Sequence, residues 1–320
     1  MIRWGIIGLG NIASRFAKSL SYTNEGKLYA IASKTKEKRD AFHNKYNSEK
    51  VYEDYDQLLN DNEIDAVYIA LPHGSHKYWS IEALRRKKAV LCEKPVGLNA
   101  EEMKEIKTEA LLNNTFFMEA MKTRFIPLVH EIKEIIKNNE IGEIVAIEAN
   151  FCNHVENINP GSYLLDKKQG GALLDVGIYP LSFVMDMIDS EVNEVNSYMD
   201  INESEVDAYF KATITFKNGV IGTVEGAIDR NKERTAIIKG TKGFIEIPIY
   251  NRPSMVTVNI DGNQPYTIEK EIEFDDMYAE IQEVHNSLRD SKLQSDCLPL
   301  DESIRVMEVL DRIRINAGQK

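Results

Sequence analysis

Gly5-Ile6-Ile7-Gly8-Leu9-Gly10-Asn11-Ile12-Ala13 decides how the chain begins to fold. The apolar run from Trp4 to Ile7 reads as a buried strand, and Asn11 to about Leu20 has helix character. Between them stand two glycines two apart. Gly8 permits a tight bend, Gly10 lets backbone approach a pyrophosphate, and Ala13 takes the third-glycine position where helix packs on strand. Backbone N–H groups at the helix start, around Asn11 and Ile12, face the phosphates with the positive end of the helix dipole behind them. The stretch predicts a dinucleotide-binding turn.

Working outward, strands and helices alternate. Lys27 to Ser33, Asp65 to Ala70, Ala89 to Glu93 and Phe116 to Glu119 read as strands. His76 to Arg86 has helical spacing, and Asn99 reads as the N-cap of a helix running to about Leu112. Alternation of this kind predicts right-handed crossovers and a parallel sheet, a Rossmann domain over residues 1–122. After about Lys122 the pattern changes. A helix near Pro127 to Asn138 leads to Gly142 to Phe151, which alternates at period two. Ala208 to Phe216 and Val220 to Ile228 flank Lys217-Asn218-Gly219, a hairpin signal. Arg234 to Lys239, Phe244 to Ile247 and Met255 to Ile260 extend the strand run. Residues 123–320 therefore read as an α+β domain with a mostly antiparallel sheet. In the last segment Ile304, Met307, Val309, Leu310 and Ile313 make one helix stripe, suited to packing back on the first domain.

A chain of 320 residues with 43% hydrophobic and 28% charged residues suits about two soluble domains. Net charge of -12 argues against nucleic acid as a partner. Cys92, Cys152 and Cys297 lie far apart without metal-ligand spacing, which fits a reducing compartment and no metal centre. There is no apolar run of membrane-spanning length and no leader pattern at the start, so the expectation is a cytoplasmic protein without membrane partners.

Two further segments carry chemistry. Cys92-Glu93-Lys94-Pro95 stands at the end of a parallel strand, where ligands of open α/β sheets bind. Lys94 is placed to donate a hydrogen bond or a proton to a substrate oxygen; a surface loop lysine is the plain alternative. In Gly170-Gly171-Ala172-Leu173-Leu174-Asp175-Val176-Gly177-Ile178-Tyr179-Pro180, Asp175 and Tyr179 are four apart and would share a helix face. Tyr179 can act as general acid or base there, with Asp175 orienting substrate; a satisfied core tyrosine is the plain alternative. After the second strand, Ala30-Ile31-Ala32-Ser33-Lys34-Thr35-Lys36 contains no carboxylate to hold a ribose 2′-hydroxyl. Hydroxyls and lysines suit a 2′-phosphate, so the cofactor expected is NADP (NADPH) rather than NAD, with Ser33 and Lys34 in contact.

Taken together, G-x-G-x-x-A, E-K-P and G-G-A-L-L-D-V-G-I-Y resemble the glucose–fructose oxidoreductase/inositol dehydrogenase/MocA family. The likeness is strongest to the branch of dihydrodiol dehydrogenases and NADP D-xylose dehydrogenases. Met118-Glu119-Ala120-Met121-Lys122-Thr123-Arg124-Phe125 is similar to that branch too, except that Trp commonly stands at the position of Lys122. The resemblance implies an open second sheet, Lys94 and Tyr179 as catalytic groups with Asp175 beside them, and a homodimer or homotetramer. It sets the Pro-His-x-x-His turn, His73 and His76, against the cofactor with Gly8, Gly10, Glu93 and Arg124. Phe151 and Asn153, just after the first strand of the second domain, are placed to line the substrate pocket. The activity implied is hydride transfer between nicotinamide and a sugar, diol or carbonyl. A dinucleotide-binding sensor without turnover, or a glycosidase using a transient nicotinamide oxidation, remain the alternatives.

Overall fold

The computed structural model describes residues 1–319; Lys320, the last residue of the expected second domain, lies outside the described residues. The chain forms two compact units, Met1–Lys122 with Glu273–Ile304 and Thr123–Ile272 with Arg305–Lys320.

In the first unit the elements are β1 (Ile2–Ile7), α1 (Asn11–Leu20), β2 (Gly26–Ala32), α2 (Lys36–Tyr46), β3 (Lys50–Tyr52) and α3 (Tyr55–Leu59). β4 (Ala66–Ile69), α4 (His76–Arg85), β5 (Ala89–Glu93), α5 (Ala100–Leu112) and β6 (Phe117–Ala120) follow. The six strands run in the order β3-β2-β1-β4-β5-β6, and every pairing is parallel. This is the Rossmann order, with its switch point between β1 and β4. β1, β4 and β5 are apolar because helices cover both faces of a parallel sheet. Ile6, Ile7, Val67 and Leu91 are fully buried, and Phe16 of α1 stacks on Tyr68 of β4 at 3.9 Å between ring centroids. Asn99 caps α5 as expected, its side chain accepting the Glu102 N–H at 2.9 Å.

The second unit holds α6 (Pro127–Lys137), β7 (Ile144–Cys152), α7 (Ile178–Met187), β8 (Val192–Ile201), β9 (Asp207–Phe216) and β10 (Ile221–Ala227). β11 (Thr235–Gly240), β12 (Gly243–Pro248), β13 (Met255–Ile260) and β14 (Tyr266–Glu269) complete an eight-stranded sheet of order β14-β13-β12-β11-β7-β10-β9-β8. All pairs are antiparallel except β7 with β10. That exception has a simple cause. A long crossover through α7, β8 and β9 brings the chain back beside β7 in the same direction. One face of the sheet packs under α7, where Phe210, Ile214, Val224 and Ile238 are buried.

Two later helices complete the chain. α8 (Tyr278–Arg289) belongs to the first unit. In α9 (Leu300–Asn316) the stripe of Ile304, Met307, Val309, Leu310 and Ile313 is buried. No helix among the described residues is long and apolar enough to cross a membrane.

Candidate active site

The nucleotide half of the site is built at the carboxyl edge of the parallel sheet. Gly8 has φ +89°, and a Cβ there would lie 2.4 Å from the Ala70 carbonyl oxygen at the end of β4. Any other residue would be strained and would push β1 and β4 apart. Gly10 differs: a Cβ on it would meet nothing within 4 Å. Protein packing does not demand a glycine at that point, so the space beside it is available to a ligand. α1 has no side-chain cap and no acidic residue in its first turn. Its leading N–H groups, around Asn11 and Ile12, therefore face outward without a carboxylate, as a pyrophosphate requires. The residues present fit a dinucleotide.

At the end of β2, Ser33 is buried and its hydroxyl accepts the Thr35 N–H at 3.3 Å. Arg39 on α2, a residue sequence reading passed over, donates to the Ser33 carbonyl at 2.6 Å and pairs with Glu53 at 3.1 Å. Lys36 pairs with Asp40 at 2.5 Å. Lys34 is exposed, its Nζ 5.9 Å from the Tyr55 ring centroid, and it has no carboxylate partner among the described residues.

Lys94 follows β5 directly and is half-buried. The Lys94–Pro95 bond is cis. Two groups hold the backbone beyond it. The ring of His76 lies 2.7 Å through Nδ1 from the Pro95 carbonyl and 2.7 Å through Nε2 from the Leu71 carbonyl. Glu119 accepts the Val96 N–H at 3.3 Å and the Ser303 hydroxyl at 2.7 Å. His76 was expected to touch the cofactor. Instead it is wholly buried with both ring nitrogens on backbone, so it braces the loops after β4 and β5. Burial pushes its pKa down against the pull of the two carbonyls. His73 is buried in the same turn, its ring 5.9 Å from that of His76. The Glu93 side chain turns inward and accepts the Tyr68 hydroxyl, so only its backbone is left for a nucleotide; burial raises its pKa. Behind this edge Lys122 pairs with Asp276 at 2.7 Å, and Arg15 pairs with the same carboxylate. Lys122 is thus consumed within the unit. Glu280 is buried with no hydrogen-bond partner on either oxygen among the described residues. Burial and the nearby Glu93 raise its pKa well above the usual range, with Lys122 opposing.

The second unit carries the other expected groups. Tyr179 stands near the start of α7, its ring 5.4 Å from that of Phe151 on β7. Asp175 lies not in an α-helix but in a π-helical turn, Leu173–Gly177. The wider turn removes the α-helical reason for Asp175 and Tyr179 to share a face; the Asp175 carboxylate accepts the Tyr163 hydroxyl at 3.3 Å. Sequence reading missed what holds this turn. Gly171 has φ +93°, and a Cβ on it would lie 1.9 Å from the Asp207 carboxylate. Asp207 accepts the Leu173 N–H at 2.6 Å, and burial pushes its pKa up to about 6.

Arg234 is a third omission. Its guanidinium carbon lies 4.2 Å from the Phe151 ring centroid, and Nη2 donates to Asn153 Oδ1 at 3.0 Å. Tyr250 is wholly buried close to Tyr179 and Arg234, burial raises its pKa, and its hydroxyl has no hydrogen-bond partner among the described residues. Arg124, expected at the cofactor or substrate, is buried and ion-paired to Asp186, with Nε donating to Ser182 at 3.2 Å. The pair belongs to the packing of the second unit.

Comparison with known proteins agrees with this architecture. Residues 2–120 match the model described as "Oxidoreductase family, NAD-binding Rossmann fold", and residues 129–246 match the GFO/IDH/MocA C-terminal domain. Trans-1,2-dihydrobenzene-1,2-diol dehydrogenase of Mus musculus is 32% identical, over 99% of this chain and 97% of the relative. Among solved structures, an aldose-aldose oxidoreductase from Caulobacter crescentus superposes with TM-score 0.90 at 20% identity, over 99% of this chain and 97% of that one. The 3-ketoreductase KijD10 from Actinomadura kijaniata, solved with NADP and TDP-benzene, has TM-score 0.89 at 23% identity over 98% and 97%. At those identities the structural likeness speaks for the fold, while the two family models and the full-length relative show that this chain belongs to the Gfo/Idh/MocA family of oxidoreductases.

Proposed function

We propose that this oxidoreductase uses NADP and transfers a hydride between nicotinamide and a carbon bearing a hydroxyl or carbonyl, on a sugar, sugar derivative or small diol. The observation that carries the reading is the pair of basic groups at the carboxyl edge of the parallel sheet. Lys94 follows β5, half-buried and braced by His76 and Glu119. Lys34 follows β2, exposed and without a carboxylate. The first suits a reacting oxygen and the second a ribose 2′-phosphate.

Bound nicotinamide supplies or accepts the hydride. The backbone of Gly8, Gly10, Asn11 and Ile12 takes the pyrophosphate, and Ser33, Lys34 and His73 make the remaining cofactor contacts. Lys94 donates a hydrogen bond to the reacting oxygen and stabilises the negative charge that builds there. The Tyr179 hydroxyl gives a proton to that oxygen in carbonyl reduction and returns it along the same path in alcohol oxidation. Asp175 orients the substrate, and Phe151 with Asn153 lines its place. The sheet of the second unit leaves Tyr198, Ile221, Phe244, Met255 and Tyr266 exposed, which favours a homodimer or homotetramer.

Lys94→Ala is expected to cut turnover by roughly 10²–10⁴-fold while NADPH still binds. A variant that keeps most of its turnover ends the mechanism. Lys34→Asp is expected to raise KM for NADP far more than for NAD, and equal effects on both would remove Lys34 from the cofactor site.

A further inference from the structure

We propose that Arg234 is a specificity residue that receives an anionic oxygen group, a carboxylate or a phosphate, carried by the substrate away from its reacting carbon. This rests on the reading that Tyr179 acts on the substrate. The class it names is therefore a polyhydroxylated acid or a sugar phosphate rather than a neutral sugar or an apolar diol.

Sheet register sets the position of Arg234. β11 runs antiparallel to β7 with Ala236 opposite Ala149, which brings Arg234 opposite Phe151 at the end of β7. Its guanidinium lies over the Phe151 ring and gives one N–H bond to the Asn153 amide. Both partners are neutral. No carboxylate pairs with Arg234 among the described residues. Three cations near it in the sequence are ion-paired. Arg230 pairs with Asp229 and Asp200, Lys232 with Glu225 at 2.5 Å, and Lys239 with Glu148 at 2.5 Å. Glu233 precedes Arg234 in the chain and makes no pair with it.

A half-buried guanidinium cannot shed its charge, so it either carries a desolvation cost or receives an anion. Burial and the charge of Arg252 both weigh against its cationic form. An incoming anion would offset both costs with an opposite charge. The planar fork of arginine suits two oxygens of one carboxylate or phosphate, and one of its N–H groups is already fixed by Asn153. Phe151 ties this subsite to the chemistry, since its ring also lies 5.4 Å from that of Tyr179. The guanidinium and the phenol ring thus lie against the same aromatic side chain, within the reach of a sugar-sized molecule.

The test uses the protein saturated with NADP, so that the nucleotide phosphates are already bound. Sorbitol, D-gluconate and glucose 6-phosphate serve as neutral, carboxylate and phosphate probes. Their binding is read by thermal shift and calorimetry, and turnover by nicotinamide absorbance over matched neutral and anionic sugars. At least one anionic series is expected to exceed its neutral counterpart by about tenfold or more in binding or kcat/KM. Arg234→Gln should collapse that ratio through KM, and Arg234→Lys should restore part of it. The larger of the two anionic ratios identifies carboxylate or phosphate. Circular dichroism and NADPH titration of the variants confirm that they fold and hold cofactor. Equal ratios in the parent protein and Arg234→Gln overturn the proposal, even if every probe is turned over. Absence of turnover with any compound would instead count against the proposed reaction, and the binding ratios would still decide the role of Arg234.

Discussion

Lys34 and Arg234 are both cations without a carboxylate, and the two units hold them in opposite ways. Lys34 is exposed after β2, with only a tyrosine ring 5.9 Å away. Arg234 is half-buried, fixed by one amide and laid over one ring at 4.2 Å. A solvated ammonium on a flexible stem attracts phosphate as a point charge, weakly and with strong dependence on salt. A desolvated, preoriented guanidinium selects by geometry and feels salt less. Elsewhere in each unit cations are ion-paired: Arg39 on Glu53 in the first, Arg124 on Asp186 in the second. Closed charges build the architecture, and open charges are what the chain can offer to ligands.

The largest expected effect separates those two classes within one unit. Arg124→Ala should cost about 3–5 kcal/mol of stability, because Asp186 would stay buried with its main partner gone. Lys133, 2.5 Å from the same carboxylate, should hold the loss toward the lower figure. Arg234→Ala forfeits a cation–π contact and one hydrogen bond, about 1–2 kcal/mol. Denaturant unfolding of the two variants measures the difference. Comparable losses would break the distinction between closed and open charges.

Next in size is a pH effect from the closed carboxylate Asp207. Its pKa rises from 3.8 to about 6 on folding, mainly through burial. A carboxyl group so raised binds its proton more tightly in the folded chain. Its contribution is therefore full below pH 3.8 and is lost as pH rises through about 6. A rise of that size corresponds to about 3 kcal/mol. The stability difference between the parent and Asp207→Asn should grow by that order from pH 7 to pH 4. A flat difference would mean that Asp207 is not desolvated beneath the Leu173 turn.

The smallest effect concerns Lys34. Lys34→Ala should weaken NADPH binding about tenfold at low salt, and the difference should shrink in 0.5 M NaCl. NADH binding should change little. A loss that persists unchanged in high salt would put Lys34 in a desolvated contact, like Arg234, and erase the contrast between the two.

The parallel sheet was legible because its signals are local. An apolar strand, a glycine turn and a capped helix each declare themselves within a few residues, and β5 and α1 fall where the sequence places them. β3 has three residues, too few for a period to show. α2 is charged on most of its surface, with only Arg39 and Phe42 buried. β8 and β14 have few buried side chains, so no alternation marks them. Lys94 and Tyr179 were singled out from motifs. Arg234 was not, because its partner Asn153 is 81 residues away and meets it only through β7–β11 pairing. The buried bonding of His76 and Arg124 was hidden for the related reason that burial is a property of the folded chain. Their residue types alone suggest chemistry, and only their surroundings show that they serve as braces.

The central claim is that the carboxyl edge of the first unit selects NADP for hydride transfer. Fluorescence titration of the purified protein with NADPH and NADH, side by side at low salt, tests it most directly. The account predicts saturable binding of both, with NADPH tighter by about tenfold or more. Tighter binding of NADH, or binding of neither, would contradict it.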